Sequence, residues 1–237
     1  MTRAGDDGEL PAGAWPWLHD AGRWVGSWLF RPGYRVRVHR RPNVPAEGPC
    51  VLVANHSAAV DGPLLFGLLR RRSVFLVKHE LYRGIVGFLL RRLGHLPVRR
   101  GEPARAPMLA AVRTLRAGGV VAIFPEGRRG DGNVLTAHHG AAWLARTSGA
   151  VVLPVAIRGT RRPGRRRLRP RVDVLVGRPL LVPAGGGKIG LTTATERIRA
   201  ELGSLVSELD LIRAGRPPES AVQTSDTSDG SADTGAR

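Results

Sequence analysis

Val51-Leu52-Val53-Ala54-Asn55-His56-Ser57-Ala58-Ala59-Val60-Asp61-Gly62-Pro63 carries the pattern of a strand, a loop and the start of a helix. The first four residues form a short apolar run bounded by polar ones, as in a strand buried on both faces. Pro63 suits the first turn of a helix, where its missing N–H is not needed. His56 therefore sits where a strand ends, and Asp61 follows five residues later. A helix would place positions i and i+5 about 140° apart, on different faces. A compact turn would instead fold the carboxylate back onto the imidazole. That pair is the minimum kit for deprotonating a hydroxyl: histidine Nε2 takes the proton while the aspartate holds Nδ1–H and fixes the tautomer.

The same alternation runs through the chain. Strands are expected at Arg35–His39, Val51–Ala54, Ser73–Val77, Leu96–Val98, Val120–Phe124, Val151–Ile157 and Val172–Val176. Helices are expected at Pro63–Arg70, Leu81–Leu93, Pro103–Ala117 (closed by Gly118-Gly119), Ala137–Thr147 and Thr192–Ile212. Strands interleaved with helices predict an α/β fold, with a mixed, mostly parallel sheet flanked by helices. Ligands of such sheets bind beyond the carboxyl ends of the strands, where His56, Asp61 and Glu126 fall. The chain divides into a disordered N-terminus (1–13), an amphipathic segment (14–34), one domain (35–213) and a disordered tail (214–237) rich in Pro, Ser, Thr, Gly and Asp.

In the segment 14–34, Trp17, Leu18, Ala21, Trp24, Val25, Trp28 and Leu29 recur at helical spacing, while His19, Asp20, Arg23 and Ser27 fall largely elsewhere. Four of the five tryptophans lie between Trp15 and Trp28. Tryptophan favours the boundary between headgroups and hydrocarbon, so this stripe fits a helix lying on a bilayer. The same periodicity fits a helix packed on its own core, and both readings stand on the sequence.

The 237 residues carry a net charge of +18, which calls for an anionic partner. No helix-turn-helix, aromatic RNA-binding strand or zinc finger is present, so no nucleic acid is expected. The arginine run Arg158, Arg161, Arg162, Arg165, Arg166, Arg167, Arg169 and Arg171 instead fits an anionic phospholipid surface, or a solvated hairpin tip. The single cysteine, Cys50, excludes an internal disulfide. His138-His139 would point apart on a helix, and no metal is expected. The acidic start Met1–Asp7 is unlike a signal peptide, and no stretch is long enough to span a bilayer. The expected location is the cytoplasmic face of a membrane, peripheral or monotopic.

Three further blocks accompany the first: Gly94-His95-Leu96-Pro97-Val98-Arg99-Arg100, Phe124-Pro125-Glu126-Gly127-Arg128-Arg129-Gly130, and Leu153-Pro154-Val155-Ala156-Ile157. In order and spacing the four resemble the lysophospholipid and glycerophosphate acyltransferase family, whose blocks include N-H-x-x-x-x-D, F-P-E-G-T-R-S and V-P-V-x-I. The resemblance spans roughly residues 35 to 185. It implies His56 as the base and Asp61 as its orienting partner. Arg100, Glu126, Gly127, Arg128 and Arg129 would bind substrate and its phosphate, and Pro154 and Val155 would wall the acyl or acceptor pocket. Arg128 replaces the family's Thr, Gly130 its Ser, and Pro97 the aromatic of the second block. Glu126 would hold an acceptor hydroxyl or lock the arginines by a salt bridge.

The implied activity is acyl transfer from acyl-CoA or acyl carrier protein to the hydroxyl of 1-acyl-sn-glycerol-3-phosphate, giving phosphatidic acid, with no cofactor. Related proteins acylate glycerol-3-phosphate, other lysophospholipids or lyso-ornithine lipid. No G-x-S-x-G elbow is present, so direct transfer without an acyl-enzyme is the simpler course.

Overall fold

A computed structural model describes residues 10–69, 71–99, 104–127, 131–134, 137–161 and 169–215. The outer parts of both expected disordered ends, Arg100, Arg128, Arg129, and Arg162 to Arg167 of the arginine run lie outside them.

Seven strands form one sheet in the order β1-β7-β6-β2-β5-β3-β4. They are β1 (Arg35–His39), β2 (Cys50–Ala54), β3 (Ser73–Lys78), β4 (Leu96–Val98), β5 (Val120–Ile123), β6 (Val151–Arg158) and β7 (Arg171–Val176). All neighbours are parallel except β6 and β7. The expected α/β architecture is therefore the observed one. β2 lies at the centre with both faces covered, which is why its five residues are all buried and show no alternation.

The helices are α1 (Pro16–Leu29), α2 (Asp61–Leu68), α3 (Gly84–Arg92), α4 (Arg105–Arg116), α5 (Gly140–Ser148) and α6 (Gly187–Arg213). Helices α4, α5 and α6 contribute Val112, Leu115, Leu144, Ile198 and Leu202 to a core with Val51, Val53, Val121 and Val152. On the other face α2 lays Leu64, Leu65 and Phe66 over Leu52, Phe75, Leu153 and Val155.

Several helix boundaries differ from expectation: α5 begins at Gly140 rather than Ala137 and α4 spans Arg105–Arg116 rather than Pro103–Ala117, and three further differences have a clear physical cause. Helix α2 opens at Asp61, two residues before Pro63; the proline still falls in the first turn, where helix N–H groups have no partner within the helix. The segment expected as one helix from Leu81 breaks into a 3₁₀ turn, His79–Leu81, and then α3. Tyr82 turns inward there, and its backbone packs so closely that a Cβ on Gly87 would lie 2.2 Å from the Tyr82 carbonyl carbon. Helix α6 starts five residues early, because its first turns are largely exposed and show no apolar period; its buried stripe begins at Ala194.

Helix α1 docks in an inverted sense. Its polar side meets the protein: His19 is fully buried, its Nδ1–H donates to Leu93 O at 2.7 Å, and its Nε2 accepts the Ser73 N–H at 3.3 Å. Asp20 pairs with Arg72, with Nη2 to Oδ2 at 2.7 Å, and Arg23 donates to Leu69 O at 2.7 Å. Gly26 and Gly67 let α1 and α2 touch backbone to backbone; a Cβ on Gly67 would lie 2.3 Å from the Gly26 carbonyl carbon. The tryptophan stripe therefore faces outward, with Trp17 65%, Trp24 67% and Trp28 52% exposed. Packing of that stripe on the domain's own core, one of the two sequence readings, does not occur.

Candidate active site

Strands β6, β2 and β5 are neighbours at the middle of the sheet, and the candidate groups emerge beyond their carboxyl ends. After β2 the chain makes a tight turn, with the Asp61 N–H donating to Ala58 O at 3.1 Å. This turn returns the Asp61 carboxylate to the imidazole. Asp61 Oδ2 lies 3.0 Å from His56 Nδ1 and accepts the backbone N–H groups of Ser57 and Ala58, both at 2.8 Å. Three donors on one oxygen of a fully buried side chain fix its position. The carboxylate also stands at the amino end of α2, where the helix dipole favours negative charge.

A carboxylate can only accept, so His56 Nδ1 carries the proton and Nε2 keeps its lone pair. The His56 side chain is partly exposed, and no described residue hydrogen-bonds Nε2. The ring stacks on Phe124, with centroids 4.1 Å apart and planes inclined by 19°. Phe124 thus presses the imidazole from one side while Asp61 holds its edge.

After β5 the chain turns at Phe124–Gly127, with Gly127 N–H donating to Phe124 O at 3.1 Å. Glu126 Oε1 accepts the backbone N–H of His56 at 3.3 Å. Partial burial pushes the Glu126 carboxyl above its ordinary range, and that hydrogen bond pulls it back in part. Gly127 has φ of +65°, and a Cβ there would meet the His138 ring at 2.8 Å, so only glycine fits this turn. His138 lies outside α5, not on a helix as the pairing argument assumed, while His139 Nδ1 lies 2.9 Å from Thr195 Oγ1. The two histidines are directed to different neighbours.

Two supporting residues take roles that the sequence did not assign them. Asn55 is fully buried: its Nδ2 donates to Ile157 O at 3.0 Å and Gly132 O at 3.2 Å, and its Oδ1 accepts Ile157 N–H at 2.7 Å. It ties the end of β2 to β6 and to the loop after β5. Arg158 belongs to the run assigned to headgroups, but it turns inward. Its Nε and Nη2 each reach Asp210 at 2.9 Å, Nη2 also reaches Asn133 Oδ1 at 2.7 Å, and Nη1 reaches Gly132 O at 3.1 Å. Arg171 likewise pairs with buried Asp173 at 2.7 Å. These two arginines are structural clamps because their acidic partners are near in space.

Pro154 and Val155 lie in consecutive positions of β6 and face opposite ways. Val155 joins the core under α2, whereas Pro154 packs against Gly177, whose Cβ would lie 2.7 Å from Pro154 Cγ. The structure thus brings His56, Asp61, Glu126 and Gly127 together and places Pro154 and Val155 on separate faces of the sheet.

A profile of the family described as Acyltransferase matches residues 35–158, just over half of the 237 residues. The chain is 27% identical over 183 residues to the 1-acyl-sn-glycerol-3-phosphate acyltransferase of Bacillus subtilis, covering 74% of this chain and 90% of that one. It is 32% identical over 133 residues to a protein of the same description from Chlamydomonas reinhardtii, covering 54% of this chain and 40% of that one. The crystal structure of the 1-acyl-sn-glycerophosphate acyltransferase PlsC from Thermotoga maritima superimposes with a TM-score of 0.63 at 26% identity, covering 81% of this chain and 78% of that one. With the His56–Asp61 pair just beyond the end of the central strand and the family profile spanning β1 to β6, the chain belongs to the acyltransferase family.

Proposed function

We propose that the protein is a membrane-associated O-acyltransferase that moves an acyl group from acyl-CoA or acyl carrier protein to the free hydroxyl of 1-acyl-sn-glycerol-3-phosphate, producing phosphatidic acid. The observation that carries this reading is the open Nε2 of His56 above a carboxylate that fixes Nδ1–H. Nε2 takes the proton of the acceptor hydroxyl as its oxygen attacks the thioester carbonyl carbon. The tetrahedral intermediate collapses, the C–S bond breaks, and the imidazolium returns the proton to the departing sulfur. Asp61 stabilises the transient imidazolium. No acyl-enzyme is needed. Cys50 is unsuited to form one: it is buried at the start of β2, and burial pushes its thiol up to about 12.

Glu126 holds the His56 backbone through Oε1 and lies at the mouth of the site. Arg128 and Arg129 follow Gly127 directly in sequence. Their guanidinium groups, with that of Arg100, suit the phosphate of the acceptor. The Bacillus and Thermotoga relatives are described as acting on this acceptor.

The outward face of α1 supports membrane attachment, and α3 extends it: Ile85 is 80% exposed, with Val86, Phe88 and Leu89 also exposed. Trp15 and Phe88 join the two helices edge to face at 5.9 Å, and Arg31 and Arg92 stack on Trp28 and Trp15. Apolar rings under a fringe of arginines suit a boundary between hydrocarbon and headgroups. Among the described residues no helix is long and apolar enough to cross a membrane.

The test is turnover of acyl-CoA with a panel of acceptors: 1-acyl-glycerol-3-phosphate, glycerol-3-phosphate, a neutral lysolipid and lyso-ornithine lipid. Thiol release only with 1-acyl-glycerol-3-phosphate, with a doubly acylated product by mass, is the expected result. Faster turnover of another acceptor would replace this assignment within the same chemistry.

A further inference from the structure

A cleft of about 1100 Å³ runs between α1, α2 and the edge strand β1, with none of the residues of the His56 site in its lining. It exists because α1 leans on α2 through Gly26 and Gly67 and leaves β1 beside it only partly covered. Its walls combine two chemistries. Val36, Val38, Leu64 and Leu68 give it apolar surface, and Arg31, Arg35, Arg41 and Arg169 bring positive charge. Its one acidic residue, Asp20, is already paired with Arg72 and Arg23. The side chains of Arg35 and Arg41 have no hydrogen-bond or ion-pair partner among the described residues.

Cations beside half-covered aliphatic side chains are matched by a ligand with an anionic head and a hydrocarbon body; a free anion would satisfy only the arginines. Trp24 and Phe30 of α1 also line the cleft, and Trp24 belongs to the outward face assigned to the membrane boundary. We propose that this cleft binds one anionic glycerolipid, with its phosphate at Arg35 and Arg41 and an acyl chain along Val36, Val38 and Leu68. The ligand is a bound membrane lipid separate from the acceptor. The inference rests on the membrane reading only for the source of that lipid.

The full-length protein is titrated by calorimetry with dihexanoyl phosphatidylglycerol below its critical micelle concentration. This lipid has no free glycerol hydroxyl at the acylated positions. Dihexanoyl phosphatidylcholine and inorganic phosphate serve as comparison probes. The expected result is at least tenfold tighter binding of phosphatidylglycerol than of either comparison. R35Q/R41Q should erase the preference, and Val36→Trp, which fills the floor without changing charge, should weaken both lipids. Equal affinity for the two lipids, a preference that survives R35Q/R41Q, or phosphate binding as tightly as phosphatidylglycerol would overturn the proposal. Because these lipids are monomeric, the result is independent of vesicle adhesion. Cosedimentation of wild type and Trp17→Ser/Trp28→Ser with vesicles containing anionic lipid tests the membrane reading separately.

Discussion

Two histidines in this molecule share a tautomer and differ in everything that matters for reactivity. His56 and His19 both carry their proton on Nδ1. In His56 that proton meets the Asp61 carboxylate, and Nε2 has no hydrogen-bond partner among the described residues. In His19 it meets the carbonyl of Leu93, and Nε2 is closed by the Ser73 amide. A neutral carbonyl stabilises an imidazolium far less than a carboxylate does, and burial pushes His19 down to about 4. One arrangement leaves a base open to a ligand. The other uses the same ring as a two-sided bracket that holds α1 to the sheet.

The sharpest way to break this contrast is to remove each ring. His56→Ala should lower kcat by about 10³–10⁴-fold, the upper range for general-base catalysis, with little change in thermal stability. Thiol release by the purified variant checks this; a rate near wild type would end the case for His56 as base. Asp61→Asn should cost up to about 10⁴-fold, because the amide can present its NH₂ to Nδ1 and favour the wrong tautomer. Its pH–rate profile should move as well as its kcat.

Removing the bracket should act on stability. His19→Ala leaves the Leu93 carbonyl and the Ser73 amide without their partner, at about 2–4 kcal/mol for two orphaned groups. Urea denaturation reads that loss, and the surviving folded fraction should turn over substrate with its chemical step unchanged. A fall in kcat as large as that of His56→Ala, in protein shown to be folded, would mean the two rings are not separable.

Acid should reveal the same bracket. His19 has a folded pKa of about 4 against an ordinary 6.5, so the unfolded chain binds the extra proton first. Its contribution is fully present above pH 6.5 and is lost as pH falls toward 4, by roughly 3 kcal/mol at the ordinary exchange of 1.36 kcal/mol per pKa unit. His95, buried beside it and held down to about 3, adds in the same direction over a wider window. His19→Gln should flatten the stability–pH curve above pH 4. An unchanged slope would place the acid sensitivity elsewhere. The smallest expected effect belongs to Phe124→Leu. Loss of the 4.1 Å stack on His56 should cost about 0.5–1.5 kcal/mol, read as at most a tenfold drop in kcat with Asp61 still in place.

The sequence revealed the His56–Asp61 pair because all its information is local: a strand end, a five-residue spacing and a helix start. Asn55 stood next to it and gave no such sign, since its partners are at Gly132 and Ile157. Arg158 looked like a headgroup ligand for the same reason; its acid, Asp210, is 52 residues away. The α1 periodicity was legible and its direction was not. A helical stripe states that two faces differ, and only the neighbours decide which one turns in. Here Gly22, Gly26 and Gly67 permit close approach, and His19, Asp20 and Arg23 find partners in Leu93, Arg72 and Leu69, so the polar side docks. The sheet itself was readable nearly to the residue, because β2, β5 and β6 are short apolar runs that only a doubly covered sheet can hold.

Cys50 gives this protein an internal stopwatch. It is the one thiol in the chain, it begins the central strand, and it lies fully packed under α2. In the proposed reaction run with acyl-CoA as donor, a disulfide dye added to the folded protein should therefore colour with the thiol released from the donor and leave the protein unmarked, so the assay carries no background from the catalyst. When substrate is omitted, the slow appearance of dye on Cys50 times how often the centre of the sheet opens.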